Sequence, residues 1–386
     1  MDYQLTPQEI AFQKEMADFC QAEIAPRAMM LDGGSRKDAC LNMRENLRLL
    51  AKGGCLQAGH TWEGLDLVAL YLAGEEVARA CPATFLSARA STLLCAGALK
   101  LFGTPEQKER YVPALLAAEM VGCLAYSEEG AGTDMASIAA SAIRDGDSWV
   151  ISGTKDIVVN GPIADVLLIL ACHDRDAGAQ KGMSLFIIEK GAEGLDIGLP
   201  IETMGMRGAP ISAVSMNGCM ASGVLGGIPG GGFDQVSRMM TLGTIGVAAL
   251  CVGIGMACME LSTSRAKARV AFGRRIGMYQ DVGFKLADMF TCNDLGRMLA
   301  LRAAWALNTS EHGAETLAAC AKLFASESVT KIAGWGMQIF AGHGYLSGSH
   351  IERLYRDARF GEICEGTSEM QRAFISKAEL DRFAGA

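Results

Sequence analysis

Three segments of this sequence combine residue types that could hold an anion or move a proton. Ser127-Glu128-Glu129-Gly130-Ala131-Gly132-Thr133-Asp134 sets glycines among hydroxyl side chains. Glycine lets the backbone come close to an anion, and Ser and Thr hydroxyls donate to phosphate or ring oxygens. Arg269-Val270-Ala271-Phe272-Gly273, followed by Tyr279-Gln280, offers a guanidinium, which suits a diphosphate because it donates two parallel hydrogen bonds. Cys364-Glu365-Gly366-Thr367-Ser368-Glu369 offers carboxylates, and a carboxylate taken out of water becomes a stronger base. Taken singly, each segment has an ordinary reading as a surface turn or a solvated charge.

Other chemistries find less support. The five histidines (His60, His173, His312, His343, His350) lie far apart, and the thirteen cysteines are odd in number, dispersed and without a C-x-x-C pair. No metal site is expected, and the thiols read as reduced and buried. A net charge of -8 with one close basic pair, Arg274-Arg275, gives nucleic acid no basic face to bind. Met1 to Leu5 lacks a charged region followed by an apolar one, so no secretory leader is expected and a cytoplasmic location follows. The most apolar stretch, about 245–259, is short of the ~20 residues of a membrane span and reads as a buried helix.

The elements that must position these segments fall into three regions. Thr6-Pro7-Gln8-Glu9 and Thr104-Pro105-Glu106-Gln107 each join an N-cap hydroxyl, a first-turn proline and an acceptor three residues on, which marks a helix start. Between and after them the sequence has helical spacing, giving a helical domain over 1–119, with its first helix running to about Ala25. In 120–232 the texture changes to short apolar runs, Trp149–Ser152, Val166–Leu170 and Ser184–Ile188, separated by turn residues such as Asp145-Gly146-Asp147. These predict a small antiparallel β domain whose strands end near Gly223. Beyond the glycine cluster 226–232, long Ala, Met and Leu segments predict a second helical domain over 233–386. The fold class is α+β, with helical domains either side of an antiparallel β domain.

Strung along that order, the segments resemble the acyl-CoA dehydrogenase family. Ser127 to Asp134 resembles the part that wraps the flavin and its pyrophosphate, and Gly153-Thr154-Lys155-Asp156-Ile157-Val158-Val159-Asn160-Gly161 resembles the strand passing the flavin ring. The 269–280 segment resembles the family's R-x-x-F-G stretch. Gln338-Ile339-Phe340-Ala341-Gly342-His343-Gly344-Tyr345 resembles its Q-x-x-G-G-x-G-Y, with Ala341 replacing a glycine. Arg353-Leu354-Tyr355-Arg356-Asp357-Ala358-Arg359 and 364–372 match its C-terminal signature almost residue for residue.

The resemblance implies an FAD enzyme that removes a proton and a hydride from an acyl-CoA thioester. Glu365 would take the α-proton, its pKa raised by burial, and the flavin would take the β-hydride. FAD would be held by Tyr126, Ser127, Gly132, Thr133, Ile157, Val159, Arg269, Phe272, Gln280, Gln338, Gly342, Thr367 and Glu369. Thr133, Thr241, Thr244, Cys364 and Gly366 would meet the substrate. The Glu365 N–H and an FAD hydroxyl would hold the thioester carbonyl. A homotetramer, with Arg269 reaching a neighbour's FAD, and an electron-transfer flavoprotein as acceptor are also implied. Several residues depart from the family pattern. Ile157 and Val159 stand where relatives carry an aromatic residue and a hydroxyl, and Thr241 and Thr244 where many carry Asp and Arg. Cys364 replaces a common tyrosine, which points to a bulkier or alicyclic acyl group. An enoyl-CoA reductase running in the opposite direction, a carrier-protein thioester as substrate, and a non-catalytic thioester-binding protein are the alternatives.

Overall fold

Residues 4–384 are described by a computed structural model; the first residues of the stretch read for a leader, and the last two of the chain, lie outside them. The N-terminal region contains α1 (Pro7–Phe19), α2 (Ala28–Gly33), α3 (Arg36–Lys52), α4 (Leu67–Ala80), α5 (Pro82–Arg89), α6 (Gly97–Phe102) and α7 (Pro105–Leu116). Both expected capping boxes form. Glu9 N donates to Thr6 Oγ1 while Thr6 N donates to the Glu9 carboxylate, and Thr104 and Gln107 repeat the exchange. The first helix leaves α geometry at Phe19, sooner than its sequence suggests, and continues through a π turn (Cys20–Ile24) and a 3-10 turn (Ala25–Arg27).

The middle region holds β1 (Gly122–Ala125), β2 (Ser141–Asp145), β3 (Ser148–Val159), β4 (Val166–Cys172), the short α8 (Gly178–Gly182), β5 (Met183–Glu189), β6 (Leu195–Ile197), β7 (Ile211–Ala221) and β8 (Gly223–Val224). The three apolar runs lie in β3, β4 and β5. β2 and β3 close around Gly146-Asp147, with Gly146 at φ +57°, the first-position glycine that a tight hairpin favours. The strand order is β6-β7-β3-β2-β4-β5-β8, with β1 also on β4. Most pairings are antiparallel, but β1 and β2 each join β4 in parallel. The β2–β3 excursion between β1 and β4 supplies the long crossover that a parallel pair requires.

After the glycine cluster come α9 (Gly232–Ala268), a two-stranded ribbon of β9 (Val270–Ala271) and β10 (Arg274–Arg275), α10 (Gln280–Asn308), α11 (Ala314–Phe340), α12 (His350–Ala358) and α13 (Ser368–Ala384). The buried run 245–259 is the middle of a helix 37 residues long. The helical stretch Pro82–Phe102 and α9 are long and apolar enough to cross a membrane by length and composition alone. In each, 83% of the apolar window is buried inside the protein, as expected of core helices apolar on all sides. α9 packs on α4, α10 and α11. One buried charge ties the layers together: Glu75 of α4, fully buried, accepts from Gln13 of α1 and from Arg297 of α10.

His60 sits just before α4 with neither ring nitrogen hydrogen-bonded. Burial, with the Lys100 charge as a smaller cause, pushes its pKa down to about 4. The unfolded chain therefore binds a proton that the folded chain refuses between about pH 6.5 and pH 4, so stability is lost as pH falls through that window. His60→Phe is expected to lose less Tm than the parent between pH 7 and pH 4.5 when the two are melted side by side.

Candidate active site

The chemistry gathers around a charge that the sequence motifs do not contain. Arg89 ends α5 and enters the π-wound segment Ala90–Ala96, and polar side chains on neighbouring turns fix that helix in place. Thr84 accepts from Asn46 Nδ2 at 2.8 Å, and Ser91 Oγ accepts from Gly122 N of β1 at 3.0 Å. Ser87 Oγ donates to Asn160 Oδ1, while Asn160 Nδ2 donates to the carbonyls of Ser87 and Gly122 at 2.9 and 3.1 Å. Asn160 is fully buried and left-handed at φ +69°, so the turn that closes β3 also clamps the arginine helix to β1.

Glu365 lies across from Arg89 in the loop before α13. It has φ +49° and is followed by Gly366 at +85°. A left-handed conformation at a non-glycine residue costs on the order of 1–3 kcal/mol and persists only when its surroundings impose it. Here Lys322 of α11, fully buried, donates to Gly366 O at 2.7 Å, and Gln371 Nε2 donates to Glu365 O at 3.1 Å. Burial holds the Lys322 ammonium below its ordinary pKa, with the acidic groups of Cys364, Cys251 and Glu362 opposing that shift.

The Arg89 and Glu365 side chains are 6% and 5% exposed and form an ion pair. Nη1 donates to Oε1 at 2.5 Å and Nη2 also contacts Oε1, whereas the buried Oε2 has no hydrogen-bond partner. Space for the pair is made on α9. A Cβ at Gly243 would overlap Glu365 Oε2, and one at Gly246, a turn later, would overlap Arg89 Cδ. Breaking such a pair from one side costs about 3–5 kcal/mol, because the remaining charge is left in a dry site. Beside it runs a cavity of about 50 Å³ lined by apolar residues of α4, α5 and α9, including Leu67, Val77, Phe85, Leu242 and Ile245, together with Arg89.

The expected flavin segments reach this pair through Tyr126. Tyr126 and Cys364 both act electrostatically on Arg89, Ser127 O accepts from Asp156 N, and Ile157 follows with 64% of its surface exposed. Val159 is half-buried further along β3. The loop is stiffened from inside. Glu128 accepts from Lys155 Nζ at 2.6 Å and from the N–H groups of Ala139 and Ala140, leaving Gly132 and Thr133 exposed. Thr241 and Thr244 donate their hydroxyls to carbonyls of their own helix, Ser237 and Thr241. Thr367 Oγ1 accepts from Met370 N at the start of α13, and the bonds to its own N–H and to Thr367 hold the exposed Glu369 carboxyl below its ordinary pKa. Arg269, Phe272, Gln280, Gln338 and Gly342 lie on exposed segments at the ends of α9, α10 and α11.

Comparison with known proteins gives these features a family. Models of the N-terminal, middle and C-terminal domains of acyl-CoA dehydrogenases match residues 6–119, 123–219 and 230–380. The probable acyl-CoA dehydrogenase YngJ of Bacillus subtilis is 35% identical over 98% of this chain and 100% of its own length. The chain belongs to the acyl-CoA dehydrogenase family. Another relative, the 3-(aryl)acrylate reductase of Clostridium sporogenes, is 33% identical over 96% of this chain and 98% of its own. Butyryl-CoA dehydrogenase of Megasphaera elsdenii superposes with a TM-score of 0.91 at 29% identity, covering 98% of this chain and 100% of that one.

As an acyl-CoA dehydrogenase, the protein is an FAD-dependent oxidoreductase acting on CH–CH bonds. Its residues suit that cofactor. Gly130, Gly132 and Thr133 are exposed, Ser127 is half-buried, and Ile157 presents a bare apolar side chain. Ser368 Oγ, buried at the start of α13, has no partner. Sequence reading missed Arg89, Lys322, Gly243 and Gly246. The one visible signal was Arg89 itself, a lone charge in the apolar run Pro82–Ala98.

Gly243→Ala is expected to displace the Glu365 carboxylate while leaving bound FAD in place. Flavin content should match the parent, and substrate-driven flavin reduction should slow by at least about tenfold, the effect expected when a side chain that positions the reaction is moved from its fixed place.

Proposed function

We propose that this enzyme carries out α,β-dehydrogenation of an acyl-CoA thioester, with Glu365 as the base that removes the α-proton. The observation that carries this reading is the Glu365 carboxylate itself: buried, held on a strained left-handed turn, with Oε2 unengaged. A base must be fixed within hydrogen-bond reach of its proton, and a free oxygen lobe on a locked carboxylate meets that need. No hydrogen bond among the described residues uses the Glu365 backbone N–H, which leaves that donor for the thioester carbonyl, where charge develops as the α-proton departs. FAD, when bound, supplies the hydride acceptor for the β-carbon.

The acyl chain enters the cavity between α4, α5 and α9, whose Leu, Val and Phe walls exclude water and so strengthen the electrostatics around the base. Cys364, a small side chain beside Glu365, leaves width there for a branched or alicyclic chain. We further assign an electron-transfer flavoprotein as acceptor and a homotetramer as the working assembly. The exposure of Phe272, 97%, and of Phe284 and Phe290 on α10 supports a covered face. A second reading, reduction of an enoyl thioester, draws support from Ile157 and Val159 and from the likeness to an acrylate reductase.

Anaerobic addition of straight, branched and alicyclic acyl-CoA thioesters should bleach the flavin absorbance, and Glu365→Gln should slow the bleach by roughly 10²–10⁴-fold. A flavin reduced by none of them but reoxidised by an enoyl-CoA would establish the reverse direction. Val159→Thr places a hydroxyl on β3 and should shift the flavin reduction potential; an unmoved potential in spectroelectrochemical titration would remove Val159 as a cause of any directional preference.

A further inference from the structure

Among the described residues, Arg89 is the only charged one in the wall of the acyl cavity, set among Leu, Val, Phe and Ala side chains. A hydrocarbon tail gains nothing from a cation there, and a desolvated guanidinium is tolerated only beside an anion. The anion it has is Glu365, the sole carboxylate it reaches among the described residues. The pairing is incomplete, since both terminal nitrogens converge on Oε1 and Oε2 is unengaged. A guanidinium prefers a carboxylate that meets its two N–H groups with two oxygens. When Glu365 turns toward an α-carbon, Arg89 loses its counter-charge inside an apolar cavity.

We propose that Arg89 recognises a carboxylate at the far end of the acyl chain, and that substrate binding exchanges Glu365 for this carboxylate as Arg89's partner. The substrate class is then a short dicarboxylyl thioester. The α-carbon must lie about 3–3.5 Å from the Glu365 oxygen, and the guanidinium is in direct contact with that oxygen. The two ends of the chain are thus only a few bonds apart, which fits about four to six carbons. Exchange also strengthens the base: without an anionic tail, Glu365 stays paired with the guanidinium, and its free Oε2 is a weaker acceptor for the α-proton. Charge, more than width, sorts the substrates.

The consequence for turnover rests on the dehydrogenase reading, whereas recognition does not, so two measurements are needed. In the first, calorimetry with the FAD-loaded enzyme compares glutaryl-CoA with pentanoyl-CoA and adipyl-CoA with hexanoyl-CoA. The dicarboxylyl member of each pair should bind at least tenfold more tightly. Arg89→Met should abolish that preference, Arg89→Lys should keep part of it, and CoA alone should bind all three proteins alike. In the second, anaerobic flavin bleaching should be at least tenfold faster with the dicarboxylyl member, and Arg89→Met should level the two rates. Equal or weaker binding of the dicarboxylyl thioesters by the parent would overturn the proposal. So would a preference that survives in Arg89→Met. If Arg89→Met does not fold, Arg89→Lys decides: a reduced preference there supports the proposal, and an undiminished one overturns it. A binding preference with no bleaching by any thioester would leave the recognition site standing and sink the dehydrogenase reading instead.

Discussion

The buried pair of Arg89 and Glu365 is the constraint around which the candidate site is built. Two charges held out of water are stable only while each supplies the other's field, so everything that fixes one fixes both. Arg89 is anchored by a ladder of Thr84, Ser87 and Ser91 to Asn46, Asn160 and Gly122. Glu365 is anchored by Lys322 and Gln371 through the carbonyls of its own strained turn. Between them α9 presents Gly243 and Gly246, and only a helix without side chains at those two points lets the carboxylate and the guanidinium stem lie against its backbone. Three regions of the chain therefore meet at one contact.

The mixed sheet contributes stiffness where the helices contribute enclosure. Lys155, fully buried in β3, draws in Glu128, and Glu128 in turn collects two backbone N–H groups. That leaves the outer part of the 127–134 loop with its glycines and hydroxyls facing out, as a cofactor's polar groups require. The ion pair is buried whereas Ile157 on β3 is exposed, so the candidate site combines a dry charged contact with a bare apolar side chain. The division is physical: hydrogen bonds satisfied within the protein hold the backbone still, and those left open lie on the segments whose sequence resembles the family's flavin-binding stretches.

A base paired with a cation is a poor base until the pair opens. On the reading proposed above, the contact that holds Glu365 in place in the dry interior also opposes its action as a base, and an anion that takes its place at Arg89 resolves the conflict. An apolar cavity with one cation in its wall selects by charge at a single point and by shape elsewhere, since desolvation makes an unmatched charge far more costly than a small gap.

Much of this was legible in the amino-acid order. The two capping boxes form because Thr6 and Thr104 carry their acceptors three residues on, and β3, β4 and β5 lie where apolar runs meet turn residues. The C-terminal signature singled out Glu365, and the left-handed turn there agrees with the glycine beside it. These are local matters, decided by residues within a few positions of one another. Tertiary structure alone decided the rest. Arg89 and Glu365 are 276 positions apart, and nothing near either announces the other. Parallel pairing of β1 and β2 with β4 depends on the path of the intervening chain. The hydroxyls of Thr241 and Thr244 bond back to their own helix because α9 continues unbroken through them. Hydrogen-bond and apolar patterns repeat over one or two turns and so survive in a sequence. The field at a buried carboxylate depends on which distant charge the fold brings to it, and only the packed chain sets that.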